Sequence, residues 1–281
     1  MTTSSAIKSK LQSLQEIEDI ISSMKAFANF NVQTAKNSLS NLRIYQNSIE
    51  DSFDDIITLF PRLAKRSSDK THGAIYVLFL SQEGLCGFFN EDIVYFFETL
   101  SRENAMTVIV GAKGIDVAEA KKIKYDHYLS GAANVEAIEM SAIELSAYLI
   151  ETFEKKHFGT LHLVYAQLEG ESYKTVKKKV LPPDFSKFSK KSIQKEPLLY
   201  LKAEDILHTL IKEYLHISIY RAFIESVASE NQARLNAMVH ASNAIEHKEK
   251  HLTQSLNVQR QKEITDELLE IVNAYRSALD H

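Results

Sequence analysis

Glycine and proline are confined to the middle of this 281-residue chain, and their placement restricts the fold more than any other feature of the sequence. All eight glycines lie between Gly73 and Gly170, and all four prolines lie between Pro61 and Pro197. These two residue types interrupt helices most strongly. The first 60 residues and the last 80 contain neither, so each end can form one long, unbroken helix.

Both ends also carry a heptad pattern of apolar residues. In the register from Leu11 to Phe60, twelve of fifteen positions are apolar, and in the register from Leu207 to Leu256 eleven of fifteen are. The polar exceptions are Glu18, Lys25 and Gln46 in the first register and Arg221, Asn231, Ser242 and Glu249 in the second. Sustained heptads predict that the two ends pair as an antiparallel coiled coil. A helix over 203–279 would be roughly 115 Å long, too long for a compact domain, so this end is expected to project.

The middle of the chain alternates between strand-like and helix-like segments. Asn90, followed by Glu91 and Asp92, is predicted to cap the N-terminus of a helix. Further helices are predicted in VAEAKKI and over 142–156. Strands are predicted at 73–81, 106–114, 125–129 and 161–170, with a last, edge-like strand in TVKKKVLP. This alternation predicts a small α/β (Rossmann-like) domain.

The predicted fold class is therefore α/β with long helices, in four segments. An N-terminal coiled-coil helix occupies 1–60 and the central α/β domain occupies 73–183. A polar, basic linker over 184–202 leads into a C-terminal coiled-coil helix over 203–281.

Composition excludes several classes of protein. Hydrophobic residues make up 44% of the chain and charged residues 25%, as in globular proteins. The net charge of -4 lacks the basic excess of a nucleic-acid-binding protein. A single cysteine, Cys86, allows no intrachain disulfide. We find neither a secretory signal nor an apolar run of about 20 residues. A soluble protein that reaches a membrane only through partners is expected.

No group of residues indicates an active site. GLCG (84–87) and GAKG (111–114) lack the spacing of phosphate-binding loops, which favours tight turns. His247 and His251 stand four residues apart without an evident third metal ligand, as on a solvated helix face. Cys86 is predicted to be a small packed residue. We therefore expect a chain that is not itself a catalyst and holds no cofactor.

Four segments, in chain order, resemble the gamma (central shaft) subunit of F-type ATP synthases. SSMKAFA (22–28) is similar to the family's A-M-K-M-V-A, and SQEGLCGFFN (81–90) to S-D-R-G-L-C-G-x-x-N. ESVASENQARLNAM (225–238) resembles E-S-x-A-S-E-x-x-A-R-x-x-A-M. NVQRQKEITDELLEIV (257–272) matches N-x-x-R-Q-x-x-I-T-x-E-x-x-E-I-V at every named position.

The resemblance implies a mechanical part of a rotary ATP synthase. The coiled coil would be the rotor axle inside the hexamer of alpha and beta subunits, and the α/β domain would sit against the epsilon subunit and the c-ring. The chain would convey rotation between ion flow and ATP chemistry, both of which belong to other chains. It would be a peripheral subunit at the cytoplasmic face of the inner (plasma) membrane.

The resemblance also implies seven contacts with the alpha–beta hexamer. They are Met24, Lys25, Arg234, Arg260, Gln261, Thr265 and Glu267. Arg260 and Gln261 match the pair that touches the catch loops of the hexamer, and Thr265 and Glu267 match neighbouring polar contacts. The apolar tip from 268 to 279 matches the part held in a hydrophobic sleeve.

The other three contacts lie lower on the axle. Arg234 and Met24 match residues that face a loop of a catalytic subunit, and Lys25 matches the adjacent family lysine.

The sequence departs from the family pattern at the start of the N-terminal helix. Glu16, Glu18 and Asp19 stand where the family has amides and lysines, and Glu83 replaces the arginine of the S-D-R-G turn. These departures resemble the divergent branch of alternative F-type ATPases, often proposed to move sodium.

Two other classes of protein remain as alternatives. A nucleotide-binding α/β enzyme with coiled-coil arms would bind a nucleotide as an isolated chain. A coiled-coil adaptor protein would form a stable dimer of its own.

Overall fold

The structure is a computed structural model that describes residues 4–65, 73–100, 105–156, 158–185 and 199–279. The chain forms two compact units. One combines Met1–Phe27 with Asn236–His281, and the other is Ala28–Leu235.

Two helices dominate the structure, and a small sheet is formed by the chain between them. The helices are α1 (Ser4–Leu59), α2 (Pro61–Lys65), α3 (Phe89–Glu98), α4 (Gly114–Ala120), α5 (Ile138–Lys156) and α6 (Ala203–Leu279), with a 3-10 turn at Val135–Ala137. The strands are β1 (Ala74–Phe79), β2 (Ala105–Val110), β3 (His127–Leu129), β4 (Thr160–Glu169) and β5 (Ser172–Leu181). Long terminal helices around a small sheet domain are the predicted fold, which the structure confirms.

The five strands form one sheet in the order β3-β2-β1-β4-β5. The first four are parallel to one another, and β5 runs antiparallel to β4 at the edge. Because side chains of a strand alternate between the two faces of a sheet, β1 contributes side chains to two separate hydrophobic cores. Ile75 and Val77 pack on one side, and Tyr76 and Leu78 pack on the other.

The two faces of the sheet are covered by different helices. Helices α3 and α4 cover the face of Tyr76 and Leu78. The other face is covered by α5 and by parts of α1 and α6 that belong to the unit Ala28–Leu235. There the fully buried Phe53 lies edge-on to Phe185 and Tyr214, with ring centroids 6.0 and 5.7 Å away.

Some polar interruptions of the heptad registers have hydrogen-bond partners on the other long helix. In the unit Ala28–Leu235, Nη1 of Arg221 donates to Oε1 of Gln46 at 2.9 Å, and Asn31 donates to Asn231 at 3.3 Å. The residue numbers run in opposite directions, so α1 and α6 are antiparallel there.

The other unit has its own polar pair. The hydroxyl of Ser242 donates to a carboxylate oxygen of Glu18 at 2.6 Å. Ile7, Ile21, Met238 and Leu256 are buried in this unit, as the apolar heptad positions require. Polar residues at such positions specify register at some cost in stability.

The four predicted segment boundaries stay a prediction. Most of the linker, residues 186–198, lies outside the described residues. Within the described ranges, no helix combines the length and the apolar character that crossing a membrane requires.

Candidate functional site

A buried ion pair of α6 holds the turn that follows β1. Oε2 and Oε1 of Glu230 accept hydrogen bonds from the backbone amides of Gln82 and Glu83, each at 3.2 Å. Nε of Arg234 donates to the carbonyl oxygen of Gly84 at 3.0 Å. The two side chains also bind each other, with Nη2 of Arg234 2.6 Å from Oε1 of Glu230. Two side chains of α6 therefore hydrogen-bond to three successive residues of the turn, Gln82, Glu83 and Gly84.

Both charged side chains of this pair are only 5% exposed. Burial raises the pKa of the Glu230 carboxyl, while Arg234 and the two turn amides act in the opposite direction. Nη1 of Arg234 donates to Oδ1 of Asn231 at 2.9 Å, and the same oxygen accepts from Asn31. A buried ion pair is tolerated when further hydrogen bonds satisfy its polar atoms, which is the arrangement here.

The glycine-containing motif GLCG forms a tight turn. Leu85 and Gly87 have φ values of 62° and 61°, in the left-handed region. The backbone amides of Gln82 and Glu83, which come just before this motif, donate to Glu230. The turn is thus completed by the chain's own carboxylate.

GAKG is also a turn packed against its neighbours. Gly111 has a φ of 112°, and a Cβ there would lie 2.3 Å from the carbonyl oxygen of Leu80. Oε1 of Gln82 accepts from the backbone amides of Ala112 at 3.2 Å and Gly131 at 2.7 Å. These contacts tie the loops after β1, β2 and β3 together.

Asn90 has a different role from the predicted helix cap, and that prediction is wrong. Helix α3 begins at Phe89, one residue before Asn90, and Phe88 takes the cap position without a side-chain hydrogen bond. The buried Asn90 amide instead accepts from the backbone N–H of Ser81 and donates to its hydroxyl, both at 2.8 Å. The asparagine therefore joins α3 to the end of β1.

Cys86 is buried in the same region, as predicted for a packed residue. Burial raises the pKa of its thiol. Its sulfur lies 3.9 Å from Nδ2 of Asn90.

The seven predicted contact residues lie in different surroundings. Arg234 belongs to the unit Ala28–Leu235, where its guanidinium binds Gly84, Glu230 and Asn231. Met24 and Lys25 are half-buried on α1 in the other unit.

The four remaining contact residues all lie exposed on α6, between positions 260 and 267. Of these, Thr265 donates its hydroxyl to the backbone carbonyl of Gln261 at 2.8 Å. Arg260 forms no ion pair with any residue that the structure describes. The two ends of this stretch lie about 10 Å apart along the helix, within one patch.

Large apolar side chains surround these polar residues. They are Val258, Ile264, Leu268, Leu269, Ile271 and Val272, with exposed fractions from 48% to 67%. Soluble proteins rarely leave a contiguous apolar surface of this kind uncovered unless a partner binds there. The patch combines charged, amide and apolar groups, which is suited to a protein–protein contact.

The histidine pair of α6 lies on an exposed helix face. His247 and His251 are exposed on α6. Over the described residues, no group of three or more His, Cys, Asp or Glu side chains is placed to hold a metal ion.

The residues that sequence reasoning missed are Glu230 and Asn31. Glu230 lies 148 and 147 positions from its amide partners, and Asn31 lies 200 from Asn231. No local spacing reports contacts over such separations. The only available signal was that Glu230 and Arg234 stand at i, i+4 in one motif, a spacing that places them on one helix face.

Comparison with known proteins gives one family over nearly the whole chain. A family model described as ATP synthase matches residues 3–278. The chain is 28% identical to the ATP synthase gamma chain of Desulforamulus reducens, covering 97% of this chain and 98% of that one. It is 29% identical to the ATP synthase gamma chain of Clostridium acetobutylicum, covering 95% of each.

Solved structures give the same fold. A chain of the Euglena gracilis mitochondrial ATP synthase, in a structure of OSCP, F1 and c-ring, superposes with a TM-score of 0.69 at 17% identity, covering 98% of this chain and 94% of that one. A chain of the Tetrahymena thermophila mitochondrial ATP synthase, in a structure of central stalk and c-ring, gives a TM-score of 0.59 at 20% identity, covering 79% of this chain and 99% of that one.

Proposed function

We infer that this chain, which belongs to the ATP synthase family, is the central rotor shaft of a rotary ATP synthase. It couples rotation of the c-ring to conformational change in the catalytic beta subunits. The observation that carries this conclusion is the match to gamma chains over nearly the whole chain.

The partners of the shaft are the alpha and beta subunits, the epsilon subunit and the c-ring. Support comes from solved relatives of the same fold, whose structures are described as F1 with c-ring and as central stalk with c-ring. The chain is attached to the membrane through this complex, as a peripheral subunit at the cytoplasmic face.

The shaft is a subunit of an enzyme complex and takes no direct part in the chemistry. ATP is made or hydrolysed on other chains. In support of this, the backbone amides of Gln82 and Glu83, just before GLCG, donate to Glu230, and GAKG is closed by contacts with Leu80 and Gln82.

The shaft acts through differential contact. Three catalytic subunits of the same sequence meet different sides of an asymmetric axle. A rotor can bias their conformations only by as much as its contact free energy differs between them. Exposed charged and amide groups suit contacts that form and break repeatedly, because water replaces each lost partner at small cost.

The exposed patch of α6 is the proposed upper contact with the hexamer. Arg260 and Gln261 touch the catch loops, and Thr265 and Glu267 extend the same polar network. Met24 and Lys25 contact a loop of a catalytic subunit from α1.

We propose two roles for Arg234, one inside this chain and one toward a partner subunit. Its hydrogen bonds inside the chain hold the turn over 82–84, and the prediction that it also faces a catalytic subunit stays a prediction. The assignment to the divergent, sodium-type branch likewise stays a prediction.

The upper contact is tested in the assembled complex. Arg260→Ala and Gln261→Ala are expected to leave the fold intact, because both side chains are exposed, and to lower the torque or coupling measured by single-molecule rotation. Lys262→Ala, at an exposed position between them and Thr265, is the matched control. Equal rotation in all three variants would place the contact elsewhere.

The alternatives are tested on the isolated chain. Calorimetric binding of a nucleotide would favour the α/β enzyme, and a stable dimer in light scattering would favour the adaptor. The shaft predicts neither, and it predicts co-purification with the alpha and beta subunits.

A further inference from the structure

The guanidinium of Arg221, on α6, is only partly satisfied by its neighbours. Its Nη1 donates to Oε1 of Gln46 at 2.9 Å, and its Nη2 lies 3.6 Å from Oε1 of Glu225. That Glu225 oxygen also accepts from Gln167 at 3.4 Å. The Nε of Arg221 is buried and has no hydrogen-bond partner among the described residues. A buried donor without an acceptor is unfavourable, so an acceptor from outside the chain is stabilised at this place.

Arg221 lines a cleft between α1 and α6, within the unit Ala28–Leu235. The volume of the cleft is about 520 Å³, which is in the range of pockets that bind small molecules. Three cations and one acid line it, a net charge of +2, and they are Lys36, Arg43, Arg221 and Glu225. This lining favours an anion as the occupant.

The two cations from α1 are free to bind such an anion. Lys36 and Arg43 are exposed, and neither forms an ion pair with a described residue. Residues 20–49 contain no Asp or Glu, so no acid of this stretch of α1 neutralises them. They stand seven residues apart, about 10 Å along the helix axis, so an anion that reaches both is longer than one phosphate or carboxylate group.

We propose that this cleft binds a small polyphosphate anion, a chain of two or three phosphoryl groups, through Lys36, Arg43 and Arg221. Guanidinium groups donate to phosphate oxygens in pairs, and a lysine amine binds them as a point charge. The tetrahedral oxygens of a phosphoryl group can accept from both helices at once, whereas the two oxygens of a carboxylate lie in one plane. The bound anion supplies the acceptor that Nε of Arg221 lacks and joins α1 to α6. The proposal does not depend on the inferred role as a rotor shaft.

The test is a calorimetric titration of the full-length chain with tripolyphosphate at constant ionic strength. We expect one saturable site per chain. The affinity should fall as potassium chloride is added, because salt screens exposed charges. The midpoint of thermal unfolding should rise with the tripolyphosphate concentration, because the folded chain alone presents the cleft.

Matched variants identify the cleft as the site. Lys36→Gln and Arg43→Gln should each weaken the binding about tenfold, as expected for the loss of a hydrogen bond to a charged group. Arg43→Lys keeps the charge and should recover part of the affinity. Lys124→Gln, at an exposed position outside the cleft, is the control and should bind as the native chain does. All three positions are exposed, so the fold is expected to stay intact.

Three results would overturn the proposal. The first is the absence of saturable binding, with an unchanged midpoint of unfolding. The second is an equal affinity in the native chain, Lys36→Gln and Arg43→Gln, which would mean adventitious association with surface charge. The third is an equal affinity for citrate, which would assign the cleft to carboxylates. A nucleotide site of an α/β enzyme would be insensitive to these two variants, so the two kinds of binding are distinguishable.

Discussion

Two stretches of the same helix, α6, carry family-like motifs but lie in opposite environments. All thirteen residues from 222 to 234 are buried, in the unit Ala28–Leu235. In the other unit, residues 264 to 273 are all exposed, including five large apolar side chains. The first stretch contacts β4 through the hydroxyl of Ser229, which donates to the carbonyl of Ala166 at 3.1 Å. It contacts β1 through Phe223, whose ring lies 5.0 Å from that of Phe79.

This difference in exposure indicates that a family-like motif can serve either the stability of the chain or its binding to a partner. The buried stretch has its partners inside this chain, so its residues are explained by the chain's own stability. The exposed stretch has apolar and charged groups that are open to solvent, and we propose that its residues serve binding. A motif match alone does not distinguish the two, and Arg234 and Arg260 illustrate the contrast.

The largest expected effect is that of Arg234→Met. It leaves Glu230 buried without its cation, and breaking a buried pair in this way costs about 3–5 kcal/mol. Urea unfolding of the full chain measures the loss. Arg260→Met is the matched control and should change the free energy of unfolding by less than about 0.5 kcal/mol. An equal loss of unfolding free energy in the two variants would contradict the proposed difference between the buried and the exposed stretch.

A double variant refines this result. Glu230→Met combined with Arg234→Met removes both charges, and we expect it to be more stable than Arg234→Met alone, because no unpaired charge remains. If the double variant is the less stable of the two, the hydrogen bonds that Glu230 accepts from the turn amides outweigh the cost of burying its charge without a cation.

A smaller loss is expected from Asn31→Leu. This change removes the buried amide that donates to Asn231, at a cost of about 1–3 kcal/mol. The same unfolding measurement applies, with Asn37→Leu at an exposed position of α1 as the control. An unchanged midpoint for Asn31→Leu would show that the pair contributes only to register.

The exposed stretch should respond in binding rather than in stability. Leu268→Ser and Ile271→Ser are expected to shift the free energy of unfolding by less than about 0.5 kcal/mol, because both side chains are more than half exposed. They should reduce self-association of the isolated chain and weaken its assembly with the alpha and beta subunits, as measured by light scattering and co-purification. Met140→Ser, at a 74% exposed position of α5, is the control. Weakened assembly in that control as well would count against a specific contact.

Cysteine reactivity tests the comparison by alkylation, with the native Cys86 in the buried region and an introduced cysteine in the exposed stretch. Burial raises the pKa of the Cys86 thiol, so less thiolate is present near pH 8 and alkylation should be slow until urea unfolds the chain. A cysteine placed in the exposed stretch by Leu268→Cys, in a Cys86→Ala background, should react at once. Equally fast alkylation of native Cys86 would contradict the packing of the turn.

Much of the fold was predictable because it depends on local patterns. Each strand overlaps a predicted strand segment, although β2, β4 and β5 begin before theirs. The Asn90 prediction failed because an N-cap signal is also local, whereas the asparagine is used by Ser81, nine positions away on another element. The exposed contact residues are predicted by resemblance alone. Their exposure could not be read from the heptads.

The sequence by itself determined where helices can run unbroken, which heptad positions are apolar and which family the motifs resemble. These properties reside in residue type and spacing along one chain. Only the tertiary structure decided that Gln46 meets Arg221, that Glu18 meets Ser242 and that Glu230 occupies the turn amides. Such pairings join residues more than a hundred positions apart, and their free energy depends on burial and distance, which the packing of the folded chain determines.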